Sequence, residues 1–148
     1  MNRPCLAAIA FGCGIAAATA VRSAPALLGP STKTWEEIEA AGTGNGRQIF
    51  KSPTATLDEL EMHVTHLAAG KAPHPPHQHV QEELVIIKEG TLEAFQSGKT
   101  RKLGPGSVIF QASNQMHGVR NVGETPATYY VVRWTSPGQT PPPKAASK

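Results

Sequence analysis

The 148-residue sequence predicts an all-β fold: a single small β-barrel with one short helical turn near its start. Three observations indicate this class. Apolar residues fall in many short runs of the kind that form strands. Turn residues separate these runs, since the chain contains 14 glycines and 13 prolines. No stretch after the N-terminal segment has the apolar period of a long helix, and no internal repeat indicates a second barrel.

The first predicted elements precede the histidine-rich part of the chain. Ser31–Ala41 begins with a capping pattern followed by early acidic residues, which predicts a short helical turn. Within it, Trp35 and Ile38 are three residues apart and are expected to pack together at one end of the barrel. Gln48–Phe50 begins a strand. Leu60–Leu67 alternates apolar and polar residues and predicts another strand, although alternation alone does not say which face is inside.

The second half of the chain supplies the remaining strands. Leu84–Lys88 predicts a strand, and Glu89–Thr91 is interpreted as a tight hairpin turn that returns the chain along Leu92–Ser97. The strands that follow are short, and glycine or proline bends separate them; they are Thr100–Leu103, Val108–Phe110 and Thr128–Trp134.

Residues 1–26 have the pattern of a secretory signal peptide. Arg3 supplies a positive charge, and an apolar segment of small residues follows as far as Val21. Cleavage is expected after Ala20 or after Ala26, and the sequence leaves both open. A membrane anchor is less favoured because the apolar segment is short for a span and is interrupted by glycine and threonine. The mature protein is therefore expected to be exported, to the periplasm or the medium, with no membrane contact after cleavage.

The domain limits and the state of the cysteines follow from that segment. Residues 27–135 are assigned to the barrel domain, and residues 136–148 form a Pro/Ala/Lys-rich tail that is expected to be disordered. Cys5 and Cys13 both lie in the predicted signal, so the mature chain is expected to contain no disulfide. Lipid attachment at Cys13 is a minor alternative, because the residues before it fit such a site poorly.

The charge of the chain gives no support for nucleic-acid binding. Its formal net charge is +3, from 14 basic and 11 acidic residues. Arg3 and Arg22 lie in the predicted signal, and removing both leaves the balance near neutral. No cluster of lysine and arginine has interleaved aromatic residues, which nucleic-acid binding would favour.

The stretch from Gly70 to Gly90 contains the residues that indicate chemistry. His77 and His79 are two apart and Glu83 keeps their parity, so on one uninterrupted strand all three share a face. Imidazole and carboxylate are ligands for divalent iron, manganese, nickel, copper or zinc. A further ligand is needed, and His117 is the candidate. The alternative is a proline-rich loop with incidental histidines, which this spacing makes the less favoured interpretation.

The other polar residues are assigned less direct roles. His74 lies among prolines with the wrong parity, and we interpret it as a loop residue and not as a ligand. His63 shares the polar face of Leu60–Leu67, which faces either a pocket or solvent. If it faces a pocket, His63 and Gln111 are the candidates to line it, with a tyrosine of the last strand as a further candidate.

Two segments of the chain resemble the conserved motifs of the cupin superfamily. His77, His79, Glu83 and Gly90 match the first motif, with one extra residue after Gly70. The second motif is matched by residues of the 106–121 segment that keep their spacing, namely Gly106, His117 and Asn121. There the proline of the motif is replaced by Ala112 and its second glycine by Asn114, and asparagine tolerates the left-handed conformation that glycine supplies.

The resemblance implies a jelly-roll barrel from about residue 35 to residue 134, with a divalent metal inside it. His77, His79, Glu83 and His117 are then the metal ligands, and every ligand position is present. Manganese, iron, nickel, copper and zinc all stay open. The resemblance also allows a homodimer through an outer sheet. Four protein ligands on a six-coordinate metal leave two positions for water, dioxygen or a small-molecule substrate.

The leading hypothesis is an exported metal-dependent enzyme that acts on a small organic molecule. Its reaction type stays open among oxygenation, isomerisation, and decarboxylation or hydrolysis, with Glu83 as a candidate base. The alternative is a non-catalytic, metal-stabilised module that binds a sugar or metabolite. An enzyme is expected to carry an acid or base besides its ligands near the open positions, whereas a purely apolar pocket favours binding. The resemblance also allows an extracellular superoxide- or oxalate-type activity with manganese, which no residue here selects.

Overall fold

A computed structural model describes residues 25–140, which form one short helix and eight strands. The helix α1 covers Trp35–Ala40. The strands are β1 (Gly46–Ser52), β2 (Glu59–Leu67), β3 (Glu82–Glu89), β4 (Leu92–Gln96), β5 (Lys99–Leu103), β6 (Val108–Gln111), β7 (His117–Asn121) and β8 (Ala127–Thr135).

The strands form two antiparallel sheets. One sheet has five strands in the order β1-β2-β8-β3-β6, and the other has three in the order β5-β4-β7. The predicted all-β class with one short helical turn is therefore confirmed. Between residues 25 and 140, no helix is long and apolar enough to cross a membrane.

The helix begins where the sequence predicts a cap. Thr34 accepts a hydrogen bond from the Glu37 backbone N–H, and the Glu37 side chain accepts one from the Thr34 N–H, which completes a capping box. Ile38 is buried, and the Trp35 ring meets the Tyr130 ring edge-on, with 6.3 Å between centroids. The helix therefore covers part of the outer face of the five-stranded sheet.

The predicted hairpin at Glu89–Thr91 is wrong. β3 pairs with β6 and β8, whereas β4 pairs with β5 and β7, so the chain crosses here from one sheet to the other. Both edges of β3 are already hydrogen-bonded, which leaves no place for β4 beside it. The turn at Ser97–Gly98 is a true hairpin, and both of its residues have positive φ, 47° and 84°.

The space between the sheets is apolar at one end and polar at the other. A buried cluster fills the apolar end and comprises Leu67, Val85, Ile87, Leu92, Ala94, Ile109, Ala127, Tyr129 and Val131. Glu61 and Gln111 are also buried, and they lie on inward-facing positions beyond that cluster. The polar set of β2 therefore faces inward, which settles the question that its alternation left open.

The described part of the C-terminal tail contacts the barrel, since Asn114 Nδ2 donates to the Thr140 carbonyl at 3.2 Å. Residues 136–140, the start of the predicted tail, form a turn in which the Ser136 N–H donates to Gln139 Oε1 at 2.8 Å. The rest of that tail lies outside the described residues. Most of the predicted signal peptide also lies outside them, including both cysteines, so the predictions for these segments stay predictions.

Replacing Gly90 by alanine is expected to destabilise the barrel by about 2–4 kcal/mol, because two costs combine. Gly90 has φ +83°, and an added Cβ would lie 2.6 Å from both Cα and Cβ of Ala127. Chemical denaturation of Gly90→Ala measures the loss. Gly98→Ala is the matched control, since Gly98 has φ +84° but open space around the added methyl. Equal losses in the two variants would contradict the packing argument.

Candidate metal centre

Three histidine side chains converge at the polar end of the barrel. One ring nitrogen from each of His77, His79 and His117 lies within 4.8 Å of the other two. The three ring centroids are separated by 5.1, 4.8 and 4.7 Å. The structure thus brings together the histidines that sequence analysis selected, although they come from segments about forty residues apart along the chain.

The backbone that places His77 and His79 is not the uninterrupted strand that the sequence predicts. His77 and His117 form an isolated β-bridge. The N–H of each residue donates to the carbonyl of the other at 2.9 Å. β3 begins only at Glu82. The prolines before His77 lack N–H donors and so prevent a longer ladder. The segment is held instead by the loop before β7, where the Asn114 N–H donates to the His79 carbonyl at 2.7 Å.

Asn114 itself has φ 59°, the left-handed conformation expected where the family motif has glycine. Its neighbour Ser113 donates from Oγ to the Val80 carbonyl at 2.6 Å. These bonds fix the loop that contains His79 against the loop that precedes His117. Backbone contacts therefore position the segments that contain the candidate ligands.

Hydrogen bonds to carbonyls leave the inward-facing nitrogens free to bind a metal. His79 Nδ1 donates to the Gln81 carbonyl at 3.0 Å, and His117 Nδ1 donates to the Gln115 carbonyl at 2.8 Å. A carbonyl only accepts, so in each neutral ring Nδ1 carries the hydrogen and Nε2 keeps a lone pair. Within residues 25–140, Nε2 of both rings and Nδ1 of His77 are buried with no hydrogen-bond partner. This donor set fits a divalent cation.

Glu83 lies beside the three histidines. It is the second residue of β3, and its Oε2 is 3.7 Å from His79 Nε2. Burial raises the pKa of Glu83, but neighbouring positive charge, including the Arg133 guanidinium on the adjacent strand, outweighs that effect and holds the pKa below its usual value. Glu83 is thus a carboxylate at neutral pH, as both a ligand and a coordinated base require.

The candidate site opens on a cavity of about 250 Å³. His77, His117 and Glu83 line it together with residues from β2, β6 and β8, among them His63, Thr65, Gln111, Tyr129, Val131 and Arg133. The structure therefore places His63 and Gln111 in the cavity. His74 also borders it: this ring is exposed in the preceding loop, 4.1 Å from the His77 ring.

Arg133 and Glu61 are the polar residues that sequence reasoning missed at this end of the barrel. Arg133 lines the cavity, and its Nη2 donates to Glu61 Oε2 at 2.7 Å. The sequence does contain a signal for Arg133, because Arg133 shares one face of β8 with Tyr129 and Val131. Nothing in the sequence says that this face is the inner one, so the pattern alone does not predict that Arg133 lines the cavity.

Burial controls the protonation of the ring and phenol groups around the cavity. It is the main cause that lowers the pKa of His63, of His117 and of His77, the last to about 4. It also raises the pKa of the Tyr129 phenol to about 12. At neutral pH the imidazoles of His63, His77 and His117 are therefore largely uncharged and able to bind a metal or accept a proton, and Tyr129 remains a hydrogen-bond donor.

Comparisons with known proteins identify the family of this chain. A family model described as the cupin domain matches residues 63–133. The pectin degradation protein KdgF of Dickeya dadantii (strain 3937) is 32% identical over 91 residues, which are 61% of this chain and 76% of that protein. The chain belongs to the cupin superfamily, as a small single cupin domain.

Solved structures show the same fold at low sequence identity. The protein TT1209 from Thermus thermophilus superposes with a TM-score of 0.55 at 21% identity, covering 72% of this chain and 98% of that one. KdgF from Halomonas sp. gives 0.51 at 19% identity, covering 64% of this chain and 82% of that one. The Schizosaccharomyces pombe Cnp3 cupin domain gives 0.55 at 16% identity, covering 62% of this chain and 64% of that one.

The metal-free protein is expected to lose stability as the pH falls from 6.5 toward 4. The pKa of His77 drops from 6.5 to about 4 on folding, so over this range the unfolded chain binds a proton that the folded chain does not. His63 and His117 shift in the same direction. Urea titrations of chelator-treated protein measure the effect, and His77→Asn is expected to flatten the profile. An unchanged urea midpoint between pH 7 and pH 4.5 would contradict it.

Proposed function

We propose that this protein is a metal-dependent enzyme that acts on a small organic molecule. The observation that carries the proposal is the pairing of two features in one cavity. Unpartnered histidine nitrogens form a cation site on its wall, and groups able to move or donate a proton stand free of that site. A pocket lined only by Val, Ile and Phe would have favoured simple binding.

Some residues of the cavity would bind the metal, and others would contact the substrate. His77, His79 and His117 would hold the ion, with Glu83 as the fourth ligand. A divalent metal there supplies polarisation of a carbonyl or enolate oxygen and lowers the pKa of bound water. Which of manganese, iron, nickel, copper and zinc is used depends on supply as well as on the ligands.

Two side chains are suited to proton transfer beside the metal. His63 is largely neutral at pH 7, because burial lowers its pKa, so its ring can accept a proton. Tyr129 remains protonated and can donate a hydrogen bond to a substrate oxygen. Glu83 is a second candidate base. These groups favour proton transfer next to a carbonyl, as in isomerisation, over the oxygenation and hydrolysis that the same metal site would also allow.

The similarity to a pectin degradation protein supports a substrate derived from carbohydrate. The second candidate function is a non-catalytic module that binds a sugar or metabolite beside a structural metal. The variant His63→Gln distinguishes the enzyme from the binding module. If the protein is an enzyme, the variant is expected to lose turnover while its metal content and its affinity for the ligand stay unchanged. A binding module shows no turnover in either form.

Removing one histidine of the cluster is expected to abolish stoichiometric metal binding. His77→Ala and His117→Ala each delete one of three converging donors, and the metal affinity should fall by more than about tenfold. Elemental analysis of purified protein measures the metal content. His66→Ala is the control, because His66 lies on the outer face of β2, 3.0 Å from Glu39. Full metal retention in both cluster variants would defeat the proposal.

Self-association through the outer face of the five-stranded sheet is also proposed. On the edge strand β6, Val108 and Phe110 are 56% and 50% exposed, and the Phe110 ring stacks near Trp134 with 6.5 Å between centroids. Phe110→Ser is expected to raise the dimer dissociation constant by about tenfold or more, since an aromatic residue at an interface contributes strongly. Light scattering after gel filtration measures the mass. A wild-type protein that is monomeric at all concentrations would contradict this.

Export is proposed on the N-terminal sequence pattern alone. Sequencing the N-terminus of the protein isolated from its native host tests it. A mature chain that begins at Val21 or Leu27 is the expected result, and an intact Met1 would contradict export by cleavage.

A further inference from the structure

Four polar residues form a row across the inner face of the five-stranded sheet. The strand register places Glu61 of β2 opposite Arg133 of β8, Arg133 opposite Glu83 of β3, and Glu83 opposite Gln111 of β6. Glu83 belongs to the candidate metal centre. Arg133 and Gln111 therefore flank that centre on either side, and both line the same cavity.

Arg133 forms an ion pair with Glu61, and Lys51 shares the same carboxylate. Arg133 Nη2 donates to Glu61 Oε2 at 2.7 Å, and Lys51 Nζ donates to the same oxygen at 2.8 Å. One buried carboxylate is thus shared between two cations. Glu59 also approaches Lys51, at 3.9 Å, but that pair is exposed and weakened by solvent. Glu83, opposite Arg133 on β3, is a further carboxylate beside it, and the metal of the proposed function would share that negative charge.

The row has hydrogen-bonding capacity that the protein itself does not use. Among residues 25–140, Arg133 Nε and Gln111 Oε1 are buried and have no hydrogen-bond partner. Arg133 is also the only lysine or arginine that lines the cavity in this part of the chain. Buried polar atoms without partners are uncommon in folded proteins, and a bound molecule would supply the missing partners.

We infer that Arg133 is the anion-binding residue of the cavity and that the molecule bound there is a small hydroxycarboxylate. The guanidinium would bind the carboxylate group, since its planar donors match the two oxygens. Gln111 Oε1 would accept a hydrogen bond from a hydroxyl. The inference rests on the proposed function, because it places the ligand beside the metal that His77, His79 and His117 would hold.

The competing explanation is that Arg133 only neutralises buried carboxylates. Lys51 already pairs with Glu61 from outside the cavity, and a purely structural role would supply no partner for the buried Arg133 Nε. The two explanations differ in one measurable respect. An anion-binding arginine discriminates an acid from its uncharged amide, whereas a structural arginine does not.

The test compares acids with their amides in metal-loaded protein. Glycolate, lactate and gluconate, each beside its amide, are titrated into wild-type protein, Arg133→Gln and Lys51→Gln, and binding is followed by calorimetry. Lys51→Gln is the matched control. It also removes one positive charge that pairs with Glu61, but Lys51 does not line the cavity. At least one acid is expected to bind wild-type protein and Lys51→Gln similarly, and Arg133→Gln about tenfold to a hundredfold more weakly. The amides are expected to bind all three weakly and alike.

Metal content is measured first in each protein. A failure of the proposed metal-dependent function can then be distinguished from a failure of the inference about Arg133. Metal-loaded Arg133→Gln that binds the acids as tightly as wild-type protein overturns the inference and leaves the metal centre standing. So does metal-loaded wild-type protein that binds none of the acids. Wild-type protein that binds no metal removes the proposed function and this inference together. If Arg133→Gln does not fold, Arg133→Lys keeps the charge without the planar fork, and undiminished acid binding by it overturns the role of the fork.

Discussion

The candidate site depends on one pair of backbone hydrogen bonds, which join His77 to His117 at 2.9 Å in each direction. This pair fastens the proline-rich loop before β3 to the first residue of β7, and so links the two sheets at their polar end. Because the backbones are held at this point, both imidazoles project into the same space. Carbonyl contacts at His79 and His117 then set which nitrogen carries the hydrogen and which faces inward.

The two ends of the barrel have different physical roles. The apolar end supplies the buried area that stabilises the fold, and Gly90 lets the chain cross between sheets there against Ala127. The polar end holds buried groups that the core does not satisfy, such as Gln111 Oε1 and Arg133 Nε. Unsatisfied groups weaken a fold, so their presence at one end of a cavity points to ligand binding and not to stability.

The sequence predicts the site better than it predicts the path of the chain. Alternation and turn residues give the strands. The spacing of His77, His79 and Glu83, together with the family resemblance that adds His117, selects residues that lie close together in the fold. The prediction of a hairpin at Glu89–Thr91 is wrong because local turn residues do not show whether an edge of β3 is free for pairing. Arg133 was missed because an alternating strand shows two faces without saying which one is inside. Both questions depend on contacts that are distant along the chain.

The coordination of the ion itself tests this account most directly. X-ray absorption at the metal edge of protein isolated with its native metal counts the imidazole ligands. Wild-type protein is expected to give a spectrum that requires three imidazoles with additional oxygen ligands, and His117→Ala is expected to give two imidazoles. A spectrum fitted by oxygen ligands alone, or one that His117→Ala leaves unchanged, would contradict it.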